Sequence, residues 1–185
     1  WQFDPLQGFP DSGSANVWAP ISVDQANGLV YLPTSAASPD YYGVARPGDG
    51  RYANSVVALD LQTGELRWHF QHVHHDLWDY DTPAQPILFQ WKRDGKSIPA
   101  LAQLTKQGFV FVFNRLTGEP LWDIVEHPVP ASTIDGEQTS ATQPQPVAPP
   151  PLMNTHLSAE DAWGLTPWDR GDCEKQMAAL NNKGL

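Results

Sequence analysis

The sequence predicts an all-β chain built from propeller-type blades, and three observations carry that reading. Short apolar runs alternate with turn residues through the first two thirds of the chain. A motif beginning at Ala58 begins again at Val112, a spacing of 54 residues. The 185 residues also include 18 Pro and 14 Gly, enough helix breakers to exclude a helical bundle or coiled coil.

The runs place strands at Gly28–Pro33, Ser55–Asp60, Leu66–Gln71, Ala84–Trp91, Ile98–Leu104, Gly108–Asn114 and Pro120–Ile124. The first follows an Asn27-Gly28 turn signal, and Gln62-Thr63-Gly64-Glu65 turns between the second and third. Such spacing suits a sandwich or a propeller. The repeat chooses the propeller: Ala58-Leu59-Asp60-Leu61-Gln62-Thr63-Gly64-Glu65-Leu66-Arg67-Trp68 returns as Val112-Phe113-Asn114-Arg115-Leu116-Thr117-Gly118-Glu119-Pro120-Leu121-Trp122. In each copy Asp or Asn with Thr-Gly makes a tight turn, and the Trp packs against the neighbouring blade. The alternative is two unrelated hairpins that share a turn. At about one blade per 54 residues there is room for roughly three blades, fewer than the four to eight that close a ring.

Residues 1–125 are therefore assigned to propeller blades. Residues 126–157 hold Pro128, Pro130, Pro144, Pro146 and Pro149 to Pro151 among Ser, Thr and Gln, which favours an extended loop over sheet. Residues 158–185 continue the propeller with a short helix over Asp172–Lys183, capped by Asp172 and stopped at Gly184.

A net charge of −10 with only 11 Lys plus Arg argues against a nucleic-acid partner, which requires a basic face. The single cysteine, Cys173, excludes an internal disulfide framework and a Cys-based zinc site. The chain contains no apolar run long enough to span a membrane. It opens at Trp1-Gln2-Phe3-Asp4 without Met or a signal pattern, and we expect it to be an internal piece of a longer protein.

The densest polar cluster is His72-Val73-His74-His75-Asp76-Leu77-Trp78-Asp79-Tyr80-Asp81. On a strand, Asp79 and Asp81 point to one side and suit a hard cation, while His72 and His74 share the same relation and suit zinc. The alternative is a loop whose imidazoles and carboxylates bond the backbone.

His74-His75-Asp76-Leu77-Trp78-Asp79-Tyr80-Asp81-Thr82-Pro83-Ala84-Gln85-Pro86 resembles the segment of the pyrroloquinoline quinone (PQQ) dependent dehydrogenases that carries the catalytic Asp. The branch it looks most like is the membrane-bound glucose dehydrogenase with its quinate and polyol relatives. Asn16-Val17-Trp18-Ala19-Pro20, Ser55-Val56-Val57-Ala58-Leu59-Asp60, Ile98-Pro99-Ala100, Lys106-Gln107-Gly108 and Asp161-Ala162-Trp163-Gly164 extend the resemblance from about residue 12 to 184, and the two repeats resemble that family's tryptophan-docking motifs.

The resemblance implies an eight-bladed propeller with PQQ lying across the axis on a divalent cation, calcium or magnesium, with lanthanides in some relatives. Asp79 falls on the catalytic base, which also sits at the metal. Asp81 falls where some relatives place an additional acid. Lys106 falls on a lysine that contacts the quinone oxygens, and Trp18 on the ring that stacks under PQQ. One departure stands out: an Asn usually offers its amide oxygen to the cation where this chain has Ala36, leaving Ser35, Ser38 and Asn54 as candidate substitutes.

The implied reaction is oxidation of a sugar, polyol or cyclic alcohol, glucose first among them, by hydride transfer to PQQ. Electrons would pass to ubiquinone, and the whole protein would work in the periplasm on the inner membrane. The alternative is a non-catalytic propeller scaffold, against which the set Asp79, Lys106 and Trp18 weighs, since a scaffold has no use for base, cation and stacking ring together. The fragment alone is expected to be inactive and to self-associate through its open sheet edges.

Overall fold

Apolar runs, some alternating in burial and some buried almost throughout, form the sheets of this chain, described by a computed structural model over residues 13–155 and 157–180. In order, the strands are β1 (Gly13–Ser14), β2 (Ser22–Asp24), β3 (Leu29–Pro33), β4 (Ala37–Ser38), β5 (Ser55–Asp60), β6 (Leu66–Gln71), β7 (Ile87–Arg93), β8 (Lys96–Leu104), β9 (Val110–Asn114), β10 (Ile124–Pro128) and β11 (Thr142–Pro146). A helix, α1, follows at Pro167–Ala179.

Two of the sheets are blade-sized. The first runs β2-β3-β5-β6 and the second β7-β8-β9, with every pairing antiparallel. Two-stranded ribbons, β1 with β4 and β10 with β11, complete the described sheet structure. These sheets remain open, so the architecture is a partial propeller, all-β apart from one short helix. Leu29, Tyr31, Val56, Ala58 and Trp68 of the first sheet meet Leu101, Phe109, Phe111 and Phe113 of the second in one buried core.

The two repeats bond alike. Asp60 Oδ1 accepts from the amides of Gln62 and Thr63, and the Gly64 amide donates to the Asp60 carbonyl at 2.9 Å. Asn114 Oδ1 accepts from the Leu116 amide at 3.0 Å, and the Gly118 amide donates to the Asn114 carbonyl at 2.8 Å. Docking follows from the second copy. The Trp68 indole N–H donates to the Arg115 carbonyl at 2.9 Å, and a Cβ at Gly118 would come within 2.8 Å of the Trp68 ring. Arg115 in turn reaches back to Asp24 Oδ2 at 2.6 Å, a half-buried to buried bridge that ties the second turn to the first sheet.

Three expectations are corrected. Pro120–Ile124 does not form a strand: Pro120 lacks an N–H, so only an isolated bridge from Phe113 to Pro120 follows the turn, and the next strand begins at Ile124. The Pro-rich segment does contribute sheet, because β10 and β11 pair from Ile124–Pro146 to Pro128–Thr142 and enclose a loop. The helix begins earlier than Asp172: Thr166 is the N-cap, Pro167 opens the first turn, and Asp169 Oδ2 accepts from the Thr166 amide while the Asp169 amide donates to Thr166 Oγ1. Gly184, the expected stop, lies outside the described residues. After Trp122 the chain makes this ribbon, loop and helix, which is where the length allotted to a third blade goes.

Candidate functional site

The segment from His72 to Asp81 leaves β6 and doubles back in a turn organised by Asp76. Its carboxylate is buried and accepts three donors: Asn54 Nδ2 at 2.7 Å, the Trp78 amide at 2.9 Å and the Tyr80 amide at 2.7 Å. Burial pushes the Asp76 carboxyl above the ordinary carboxylate range, against the pull of those donors and of Arg46. Arg46, itself buried, donates to the Asp76 carbonyl at 2.6 Å. Within this turn Asp79 adopts a left-handed backbone (φ 59°), a conformation the surrounding bonds must hold.

Asp79 and Lys106 meet. Lys106 Nζ lies 3.0 Å from Asp79 Oδ2 and also donates to the Asp79 carbonyl. Partial desolvation lowers the Lys106 pKa, but the hydrogen bond and charge of Asp79, with Asp81 and Tyr41 adding, leave it above the usual lysine value. Asp81 Oδ1 accepts from the amide of Ala36 at 2.8 Å. Ala36 thus touches the acidic segment through its backbone at the position where an Asn side chain is absent.

Trp18 is 57% exposed between β1 and β2, and no hydrogen bond or ring contact joins it to Asp79 or Lys106 among the described residues. Its segment is tied to theirs indirectly. The Ala15 amide donates to the Ala36 carbonyl at 3.0 Å, and Ser35 Oγ donates to Asn16 Oδ1 at 2.8 Å. Of the substitutes for the missing Asn, Ser35 is held by that bond, Asn54 Nδ2 braces Asp76 and the Tyr80 carbonyl, and Ser38 Oγ bonds Asp40.

The histidines divide by environment. His72 is fully buried against Phe70 and Phe111, its pKa pushed down to about 3 by desolvation, so its ring is neutral packing. His74 faces outward, with Nε2 3.1 Å from Glu126, and its backbone is gripped on both sides by the Gln143 amide at 2.7 and 2.8 Å. His75 is buried beside Glu137. Among the described residues no group of three or more His, Cys, Asp and Glu is arranged to hold a metal ion. Asp79 and Asp81 are hard oxygen donors of the right kind for calcium or magnesium, but two carboxylates fall short of the six to eight oxygens calcium takes.

Lys106 also lines a 390 Å³ cavity with Trp78, Tyr80, Gln107, Phe109 and Gln143, bounded on one side by Gln143 to Gln145 of β11. Trp78 and Tyr80 stack at 5.7 Å on its wall. Arg46 was not singled out in the sequence, and Asp76 and Asn54, noted there only in the polar cluster and as a substitute for the missing Asn, were not read as the support of this turn. An Asp two and four residues before the amides it bonds is a local turn signal; the partners Asn54 and Arg46 carry none.

The family described as glucose/ethanol/alcohol dehydrogenase, β-propeller domain, of the PQQ proteins, matches residues 3–185. The chain is 43% identical over 172 residues to a probable quinate dehydrogenase (quinone) of Xanthomonas campestris pv. juglandis, covering 92% of this chain and 22% of that protein. It is 36% identical over 197 residues to a quinoprotein glucose dehydrogenase of Escherichia coli, covering 100% of this chain and 24% of the relative. Among solved structures, a quinohemoprotein alcohol dehydrogenase from Comamonas testosteroni aligns at 30% identity with a TM-score of 0.57, over 74% of this chain and 20% of that one. The chain therefore spans less than a quarter of the length of these relatives. With its docked repeats, open blades and family match along nearly its whole length, it belongs to the PQQ-dependent dehydrogenase β-propeller family.

Proposed function

We propose that this chain is the part of a PQQ-dependent dehydrogenase that carries the proton-accepting side of its active site. The observation that supports this most is the Asp79–Lys106 pair, a carboxylate and a cation brought together, with the lysine lining a cavity. PQQ, when bound, supplies the two-electron acceptor for an alcohol oxidation. Asp79 takes the hydroxyl proton of the substrate at its carboxylate, which Lys106 Nζ holds by a hydrogen bond. Lys106 presents a positive donor to a quinone oxygen where charge develops. Trp18 offers an exposed flat ring for stacking, and Asp79 with Asp81 holds a divalent cation, or a lanthanide, together with ligands from elsewhere in the site.

The substrate class is a polyhydroxylated alcohol, sugar or cyclic, with glucose and quinate the first to assay. The names of the relatives support that class and a quinone as electron acceptor. We place the whole protein at the periplasmic face of the inner membrane; no helix among the described residues is long and apolar enough to cross it. Spanning so little of its relatives, the chain alone binds cofactor without turnover.

A titration of the chain with PQQ, with and without calcium, tests the reading through quenching of its eight tryptophans. Saturable, cation-dependent quenching that is lost in Asp79→Ala supports it. A folded chain that shows no quenching overturns it for this segment, in favour of a scaffold.

A further inference from the structure

Glu137 comes from the loop that β10 and β11 enclose, yet its side chain is only 1% exposed and lies against His75, itself 7% exposed. His75 Nδ1–H donates to the Gly48 carbonyl at 2.7 Å, which leaves Nε2 facing Glu137 Oε1 at 3.6 Å. Neither Nε2 nor Oε1 has another hydrogen-bond partner, and both atoms are buried. The second oxygen, Oε2, accepts from the Gly43 amide at 2.9 Å. Gly43 admits this approach only because it lacks a side chain: a Cβ there would overlap His75 Nε2 and come within 2.9 Å of Glu137 Oε1. Two buried orphan atoms aimed at each other through a glycine gap mark a contact selected for its chemistry, since burial without a partner is costly.

What the contact holds is the turn. His75 adopts a left-handed backbone (φ 43°) and its amide donates to the Asp49 carbonyl at 3.1 Å, so the residue that precedes Asp76 is fixed from both sides. Asp76 then sets the amides of Trp78 and Tyr80, between which Asp79 stands. We propose that Glu137, acting through His75, is a positioning residue that holds the turn presenting Asp79, an inference that rests on the function proposed above.

With Nδ1–H committed to the Gly48 carbonyl, Nε2 is the ring atom left to meet Glu137. The other charged groups around it are Asp49 on the facing loop, Asp76 next in the chain, and Arg46, which feels Asp76, Glu137 and Asp40. In Glu137→Gln the side-chain amide nitrogen donates to His75 Nε2 while its oxygen still accepts from the Gly43 amide, which keeps the contact.

Amide hydrogen exchange on the full chain reads this directly, with cation-dependent PQQ quenching measured beside it. Glu137→Ala is expected to lower the protection factors of the Trp78 and Tyr80 amides at least tenfold and to weaken PQQ binding by a similar factor, while the β5 amides of Val57 and Ala58 keep theirs. Glu137→Gln is expected to keep wild-type protection in the turn and wild-type PQQ binding. Unchanged protection at Trp78 and Tyr80 in Glu137→Ala, or a Glu137→Gln variant that loses protection as Glu137→Ala does, overturns the proposal. If the wild-type chain fails to bind PQQ but the exchange behaves as stated, the positioning role stands and the proposed function falls.

Discussion

Lys106 Nζ sits 3.0 Å from Asp79 Oδ2, joining a residue just past β8 to one in the turn segment well before β7, 27 positions apart. The β7–β8 hairpin between them sets that distance, so the pair is a product of register and not of local sequence. Lys106→Met removes the charge and the donor at nearly constant length. Charge-assisted hydrogen bonds contribute about 1.5–3 kcal/mol, so PQQ binding should weaken by roughly 10- to 100-fold. Lys106→Arg should recover part of it, measured by the same quenching titration. Because the Lys106 pKa is raised, the pair is complete below the ordinary lysine value of 10.5 and is lost only as pH climbs above it.

Asp76→Ala leaves the amides of Trp78 and Tyr80 without their acceptor and takes from Asn54 Nδ2 one of its two, the Tyr80 carbonyl remaining. Each orphaned buried donor costs about 1–3 kcal/mol, and water reaching the turn offsets part of that. We expect a net loss of about 3 kcal/mol, read as a lower urea midpoint, together with loss of PQQ binding. A variant as stable as the wild type would show that the turn does not depend on this carboxylate.

Gly64 and Gly118 occupy the same place in the two repeats and share a left-handed backbone, at φ 72° and 78°. Only Gly118 has the Trp68 ring against it; the space at Gly64 is open. Gly64→Ala should cost about 1–2 kcal/mol for backbone strain alone. Gly118→Ala adds overpacking of about 1–3 kcal/mol, so its melting temperature should fall further. Equal losses would mean that Trp68 does not dock on that turn.

His72 is neutral and buried in the fold, with a pKa of about 3 against an ordinary 6.5. The unfolded chain therefore binds the extra proton first, and stability drains away as pH falls from 6.5 toward 3. The slope from this one group is about 1.4 kcal/mol per pH unit. His72→Phe keeps the ring packing against Phe111 and removes the titration, so its melting temperature should depend less on pH between 7 and 4. Parallel profiles for the two proteins would place the acid sensitivity elsewhere.

Open blades leave β6 and β9 as unpaired or barely paired edges, and Trp163 and Trp168 are 76% and 79% exposed. Edges of this kind pair with other chains. Light scattering on the purified chain should give a dimer or larger; a sharply melting monomer would count against self-association.

The strands whose signal is local were legible in the sequence: Leu29–Pro33, Ser55–Asp60 and Leu66–Gln71 alternate or run apolar between Gly, Asp and Asn, and their bounds match the expected ones within a residue. The repeated Thr-Gly-Glu turn was legible too, because its hydrogen bonds are made within the motif. The start of α1 carried a signal that was passed over, Thr166 with Asp169 three residues on. Asp79, Asp81, Lys106 and Trp18 were nameable from resemblance alone.

Sequence by itself thus determined the elements whose partners lie within a few residues, and the family to which they belong. Only the tertiary structure decided that Asp79 meets Lys106, that the Ala36 amide meets Asp81, that Trp68 closes on Gly118, and that Glu137 reaches His75. Each of these contacts depends on how sheets and loops pack, and no pattern in a linear chain encodes which distant residue fills the space beside a turn.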